Sequence, residues 1–184
     1  MSDDMRMRII DAGIRCVVRE GVPGTSMSAI AAAAGVSKAL LHYHFADRAQ
    51  LLAGVVTTLG RRVVARERDA LEDGEAARVV DLLWHWLHAE LRRGELHALL
   101  ELRTIRDASV RQALEQTGEA RRTAAATTVS RLFAGLGLTL RVPVELIGDT
   151  TIAFVDGLVL DHELGRDTRV SFDVFWLAIL SLGD

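Results

Sequence analysis

Few side chains in this 184-residue chain are placed to do chemistry on a bound molecule. His85 and His88 stand three residues apart, a spacing that brings two imidazoles together on one helix. A transition-metal site wants about three or four ligands, and no Cys/His cluster supplies the others, so no metal is expected. No Ser/His/Asp set and no phosphate-cradling glycine loop occurs, which argues against an enzyme and calls for no cofactor. Cys16 falls on an apolar helical stripe and reads as a small core residue rather than a redox sensor. What remains is a shape. Residues 27–46 have the pattern of a helix-turn-helix. Ile30, Ala34, Val36 and Leu41 would fill the wedge between two short helices, Ala31 is small where they cross, and Gly35 can take the left-handed turn. Such a unit holds its second helix proud of the surface, so that the early residues of that helix can enter a DNA major groove.

The elements that must position this unit are legible as helices. Ile9, Ile10, Gly13, Cys16 and Val17 form one apolar stripe, on a helix expected to end at Glu20-Gly21. Val22-Pro23-Gly24 breaks the chain, and Thr25, Ser26 and Ser28 offer caps for a second helix through Ala34. Ser37 can cap a third, Lys38 to His44. Asp47 followed by Gln50 is an aspartate variant of a capping box and opens a long fourth helix, Arg48 to Leu71. Further helices are expected at about 75–93, 95–106, 108–134, 143–165 and 170–182, with a break possible at Gly118. The fold class is therefore all-α.

Composition agrees. The chain is 49% apolar and 26% charged, with only two prolines and one tyrosine, which suits a helical globule better than a turn-rich β-sandwich. Residues 1–68 carry ten Lys/Arg against six Asp/Glu, and the rest twelve against nineteen, so a mildly basic front precedes an acidic remainder. That asymmetry suits a front end facing a polyanion. No run of about 18 apolar residues is present to cross a membrane. The start lacks the order of a signal peptide, and a single cysteine makes no internal disulfide. A soluble, reduced, cytoplasmic protein is expected.

Ile9-Ile10-Asp11-Ala12, Ile30-Ala31, Gly35-Val36-Ser37-Lys38, Leu41-His42-Tyr43-His44-Phe45, Arg48 and Leu51-Leu52 follow one another in an order that resembles the DNA-binding domain of the TetR family of transcriptional regulators. Phe154-Val155-Asp156-Gly157-Leu158 looks like a segment common in the family's penultimate helix. The resemblance implies a helix-turn-helix DNA-binding domain at residues 1–52, joined by a long helix to a ligand-binding and dimerisation domain at 53–184. It also implies that Thr25, Ser26, Lys38, Tyr43, His44 and Arg48 reach phosphates. Ala39, Leu40 and His42 would face base edges or thymine methyls, and Ser37, at the start of that helix, counts among the DNA-facing residues. Ala39 and Leu40 replace a common glycine and threonine, His42 a common tyrosine, and Arg48 a usual lysine, so no operator sequence carries over.

In the second half, Ile147, Thr151, Phe154, Leu158 and His162 share one face of a helix, and Leu146, Ala153, Gly157 and Leu160 share another. So little polar surface needs cover on more than one side. Phe172, Phe175, Trp176 and Ile179 form a stripe on the last helix. Two such helices from each of two chains would make a four-helix interface, with Phe154, Leu158, Phe172, Phe175, Trp176 and Ile179 as its expected residues. The alternative is that these faces are the chain's own core. Proteins similar to this one enclose a ligand between their middle helices, which makes Trp84, His88, Phe133 and Phe154 candidates for a cavity. The function expected is that of a homodimeric repressor released from double-stranded operator DNA by a small-molecule effector. A helical interaction module that no longer binds DNA is the competing reading.

Overall fold

A computed structural model describes residues 2–72 and 74–184. Among the described residues there are nine α-helices: α1 (Ser2–Gly24), α2 (Met27–Ala34), α3 (Lys38–His44), α4 (Arg48–Leu71), α5 (Val79–Arg93), α6 (Glu95–Leu102), α7 (Ala108–Leu136), α8 (Val144–Glu163) and α9 (Arg169–Leu180). The same residues form no strand, only an isolated bridge between Leu140 and Gly183. The chain divides into two compact units. One contains residues up to Arg61 together with His97–Gly118, and the other contains Arg62–Leu96 and Glu119–Asp184.

In the first unit, α1 leaves helical geometry at Gly21 (φ 68°), the residue at which the helix was expected to stop. Its apolar stripe is buried: Ile9, Ile10, Ala12, Cys16 and Val17 join Ile30, Leu41, Phe45, Leu51, Leu52 and Val55 in one core. Gly13 lets α1 lie directly on α4, because a Cβ there would stand 2.9 Å from Val55 Cγ2. Gly60 does the same for α4 and α7, where a Cβ would stand 2.2 Å from Thr117 Cγ2.

Helix ends follow their caps. Ser26 Oγ accepts from the Ala29 N–H and Ser37 Oγ from the Leu40 N–H, each at 3.1 Å. Asp47 accepts from Gln50 N at 2.8 Å, while Gln50 Oε1 reaches back to Ala46 N at 2.7 Å, one residue beyond the usual capping-box partner. The sixth helix stops at Leu102 rather than near 106, because the N–H groups of Arg103, Thr104 and Ile105 turn to carbonyls three residues back. Residues Ala76–Arg78 form a 3₁₀ turn ahead of α5 instead of its first turn. α7 runs unbroken through Gly118.

The second unit packs the end of α4, α5, most of α7, α8 and α9 around Val63, Leu83, Leu87, Val129, Leu132, Ile147, Leu158 and Trp176. Gly148 brings α8 against α7, since a Cβ there would be 2.7 Å from the Arg122 carbonyl oxygen. Arg66 bonds both the buried Glu90 and Glu95 at 2.6 Å.

Candidate nucleic-acid interface and an aromatic cavity

The helix-turn-helix forms as its residues dictate. Gly35 adopts φ 66°, ψ 36°, which lets its own N–H and that of Val36 close on the Ala32 and Ala31 carbonyls. Ile30, Ala31, Ala34 and Leu41 are buried in the wedge. Two arginines of α1 complete the unit in a way that periodicity does not reveal. Arg8 and Arg15 donate to the Ala34 and Ala33 carbonyls, each at 3.3 Å, placing positive charge at the C-terminal end of α2.

The exposed side of α3 carries Lys38, Ala39, His42 and Tyr43, with Leu40 and His44 half-buried beside them. Tyr43 is 80% exposed, and its ring meets His44 edge-on at 5.2 Å. Ser26 and Ser37 are exposed at the helix starts, though each hydroxyl oxygen already caps a backbone N–H.

Two expected phosphate ligands are turned inward. Thr25 is 1% exposed and its hydroxyl donates to the Gly21 carbonyl at 2.7 Å. Arg48 donates from Nε to the Thr25 carbonyl at 2.7 Å and from Nη2 to the Val22 carbonyl at 2.6 Å. The bend between α1 and α2 gives the Val22 carbonyl one long backbone bond, from Thr25 N–H at 3.3 Å, and Arg48 supplies a shorter one there and a donor to the Thr25 carbonyl. Its observed role is to fix the start of α4 to that bend.

Most of the contact residues expected on α8 and α9 are covered within the single chain. Leu158, Phe172, Trp176 and Ile179 are buried within the single chain, and Phe154 and Phe175 are half-buried, stacked on each other at 4.0 Å. The first four have little surface left uncovered, whereas Phe154 and Phe175 keep part of theirs. The apolar residues left uncovered there are Leu146 and Leu160 on α8, Leu164 at its C-cap, and Val170, Val174 and Leu177 on α9.

A narrow cavity of about 30 Å³, partly open to solvent, lies within the second unit. Val63 and Glu67 of α4, Leu83, Trp86 and Leu87 of α5, and Arg121, Ala125 and Thr128 of α7 line it. Thr151, Ile152, Phe154 and Val155 of α8 and Phe172, Phe175 and Trp176 of α9 complete the wall. Of the four residues expected here, Phe154 is in the lining. Trp84 instead packs on Phe172 at 5.2 Å and under the Arg169 guanidinium at 5.0 Å. His88 is exposed beside Trp84, and Phe133 is buried against Leu138 and Gly183.

The polar groups of this wall are Glu67, Arg121, Thr128, Thr151 and the Trp86 indole. Arg121 Nη2 bonds Asp156 Oδ1 at 3.1 Å, and Thr128 donates to Glu67 Oε1 at 3.0 Å. Burial pushes the Glu67 carboxyl above its ordinary range, against the opposing pulls of the Thr128 hydrogen bond and the Arg121 charge. Below the unfolded value of about 4.3 both states hold the proton, and the site costs nothing. As pH rises toward the folded value the unfolded chain ionises first, so stability falls, and above the folded value the whole cost is present. Glu67→Gln is therefore expected to melt above the parent at about pH 7.5, by roughly 2–4 °C per kcal/mol recovered, and to match it near pH 4. Melting curves across that range check it; a pH-independent difference would discount ionisation as the cause.

A projecting helix framed by two caps, on an all-helical scaffold with a separate lined cavity, defines a helix-turn-helix regulator type. Residues 9–55 match the family described as bacterial regulatory proteins, tetR family. Its helix-turn-helix domain is that of the TetR family of transcriptional regulators. The chain is 34% identical over 103 residues to the nicotine-responsive transcriptional repressor HdnoR of Paenarthrobacter nicotinovorans, a match covering 53% of this chain and 51% of that protein. It is 39% identical over 54 residues to the regulator BetI of Rhizobium meliloti, covering 29% of this chain and 27% of that one. These matches thus span about half or less of the curated relatives. The whole fold superposes on a TetR transcription regulator from Haloarcula marismortui, with a TM-score of 0.80 at 20% identity over 99% of this chain and 100% of that one. The multidrug binding protein EbrR, solved with imidazole, superposes with a TM-score of 0.64 at 26% identity over 95% and 94% of the two chains.

Proposed function

We propose that this protein is a dimeric transcriptional repressor that reads operator DNA through α3 and leaves it when a small molecule occupies the second unit. The observation that carries this reading is the surface of α3. Lys38, Ala39, His42 and Tyr43 stand in solvent while the rest of the helix-turn-helix is filled with apolar side chains. Lys38, Tyr43 and His44, with Ser26 and Ser37 at the helix starts, meet phosphates in this account. Ala39, Leu40 and His42 face base edges. Residues 1–52 do the reading, and residues 53–184 hold the effector and the partner chain. A chain without a membrane-spanning helix among its described residues fits a cytoplasmic setting.

Dimerisation uses the uncovered side of α8 and α9. Leu146, Thr150, Ala153, Gly157, Leu160 and Leu164 recur at alternating steps of four and three, the seam of a coiled-coil contact. Thr150 donates its hydroxyl to the Leu146 carbonyl at 2.8 Å, leaving its methyl outward. Val170, Val174 and Leu177 continue the pattern on α9, and a four-helix bundle of two α8–α9 pairs covers all of them. The repressor and effector roles draw support from HdnoR, described as a nicotine-responsive repressor, and from EbrR, described as a multidrug binding protein.

Selection of bound fragments from genomic DNA by the full chain tests the reading. One or a few pseudo-palindromic sequences should be enriched, and enrichment of nothing favours the interaction-module alternative. Lys38→Ala should weaken binding to the selected site and to unrelated DNA alike, and flatten the dependence of log K on log salt by about 0.9 for each phosphate no longer neutralised. An unchanged slope would remove Lys38 from the interface.

A further inference from the structure

Residues 97–118 belong to the first unit although they lie far along the chain from the helix-turn-helix. Ala98, Leu99 and Leu102 of α6 are buried in the same core as Ile30, Leu41 and Phe45. From this seat α6 presents a half-buried carboxylate to the bend between α1 and α2. Glu101 Oε2 accepts from the Val22 N–H at 3.0 Å, across 79 residues of sequence. Gly21 makes that bond available, because ψ 175° there turns the next N–H away from the axis of α1. Gly21 also makes room: a Cβ on it would stand 3.2 Å and 3.3 Å from the two carboxylate oxygens.

The carbonyls of the bend are met from nearer by. Thr25 donates its hydroxyl to the Gly21 carbonyl, and Arg48 donates to those of Val22 and Thr25. These side chains bring donors, and the Val22 N–H needs an acceptor. Glu101 brings one, and a carboxylate holds an N–H more strongly than a neutral oxygen does. The residue after the bend is Ser26, the N-cap of α2. Wherever the bend is held, α2 begins.

We infer that Glu101 is a positioning residue for DNA reading. From α6 it fixes the bend, and with it the start of α2, in the place from which Ser26 and α3 meet the duplex. The inference rests on the operator-binding reading above and extends the reading unit beyond residues 1–52. Glu101 itself touches no DNA in this account; it acts through the backbone of Val22.

The test uses the full chain and a fragment selected from genomic DNA. Glu101→Ala is expected to weaken binding about tenfold, the weight of one hydrogen bond to a charged group. Glu101→Gln should stay within about threefold of the parent, because its amide oxygen still accepts from the Val22 N–H. Hydrogen exchange of the free proteins is a second readout: residues 22–29 should exchange faster in the alanine variant and as in the parent in the glutamine one. Leu99→Ala controls for packing, since it truncates the buried side of α6. An alanine variant with parental affinity, or with unchanged exchange at the bend, overturns the inference. So does equal weakening by Ala and Gln, or by Leu99→Ala at the same loss of melting temperature. Should Glu101→Ala fail to fold, Glu101→Asp is read in its place: its carboxylate is one methylene short, and parental affinity overturns the inference. A parent chain that selects no DNA removes the operator-binding reading and the inference with it. A parent that binds beside an unaffected alanine variant removes the inference alone.

Discussion

Leu177→Glu is expected to convert the dimer to monomers at micromolar concentration and to abolish specific DNA binding, with little change in the melting of the single chain. Leu177 is 68% exposed on α9, so its replacement removes no intrachain packing of consequence. In the proposed bundle the same position lies on the seam with Val170 and Val174, where two-fold symmetry sets the residue and its copy close together. Each chain then loses the burial of a leucine, about 1.5–3 kcal/mol, and adds a carboxylate that must be desolvated at an apolar seam. DNA binding follows, because one helix-turn-helix reaches few phosphates and the pair must span half-sites about 34–36 Å apart. Leu158→Ala is the informative contrast. Leu158 is buried inside the chain, so its truncation should lower the melting temperature and leave the association state intact. Sedimentation velocity on both variants decides the matter: a persistent Leu177→Glu dimer, or a monomeric Leu158→Ala protein that still melts like the parent, rejects the uncovered face as the interface.

That contrast also marks where sequence reading reached its limit. The ends of α2, α3 and α4 were legible because Ser26, Ser37 and Asp47 announce themselves through local chemistry, a side-chain oxygen beside an orphan N–H. Both apolar faces of α8 were equally visible from their spacing. Periodicity says that a face is covered without saying by which chain, and Leu158, Phe172, Trp176 and Ile179 of the face read as the interface are buried within the single chain. For Thr25 and Arg48, too, the spacing does not show which partners the side chains take within the chain. A hydroxyl and a guanidinium near a recognition helix look available until the bend at Val22–Thr25 presents carbonyls that claim them. The cavity was hardest to read. Trp84 and Trp86 lie two positions apart on α5 and so point to different sides, and only Trp86 is in the lining. Glu67 follows Arg66 in a charged stretch of α4, where nothing in the spacing shows that it turns inward.

Phe45→Ala carries the largest stability cost expected in the first unit. The side chain is fully buried at the end of α3, against Ile10 of α1 and Gly54 of α4, with the Arg6 guanidinium over its ring at 4.9 Å. Gly54 makes the fit close: a Cβ there would stand 3.7 Å from Phe45 Cε1 and 3.2 Å from Ile10 Cδ1. Truncating a phenylalanine in such a place costs about 3–5 kcal/mol, a large part of the roughly 5–15 kcal/mol that a domain holds in total. At roughly 2–4 °C per kcal/mol the variant should melt about 6–20 °C below the parent, and α3, released from its seat, should no longer read DNA. Two residues earlier the balance reverses. Tyr43 is almost wholly in solvent, so Tyr43→Ala should leave the melting temperature unchanged and weaken DNA binding solely because the phenol no longer reaches the duplex. Differential scanning calorimetry with a gel-shift on both variants separates the roles. If Phe45→Ala melts with the parent while DNA binding disappears, the ring touches DNA directly, and the packing assigned to it must be given up.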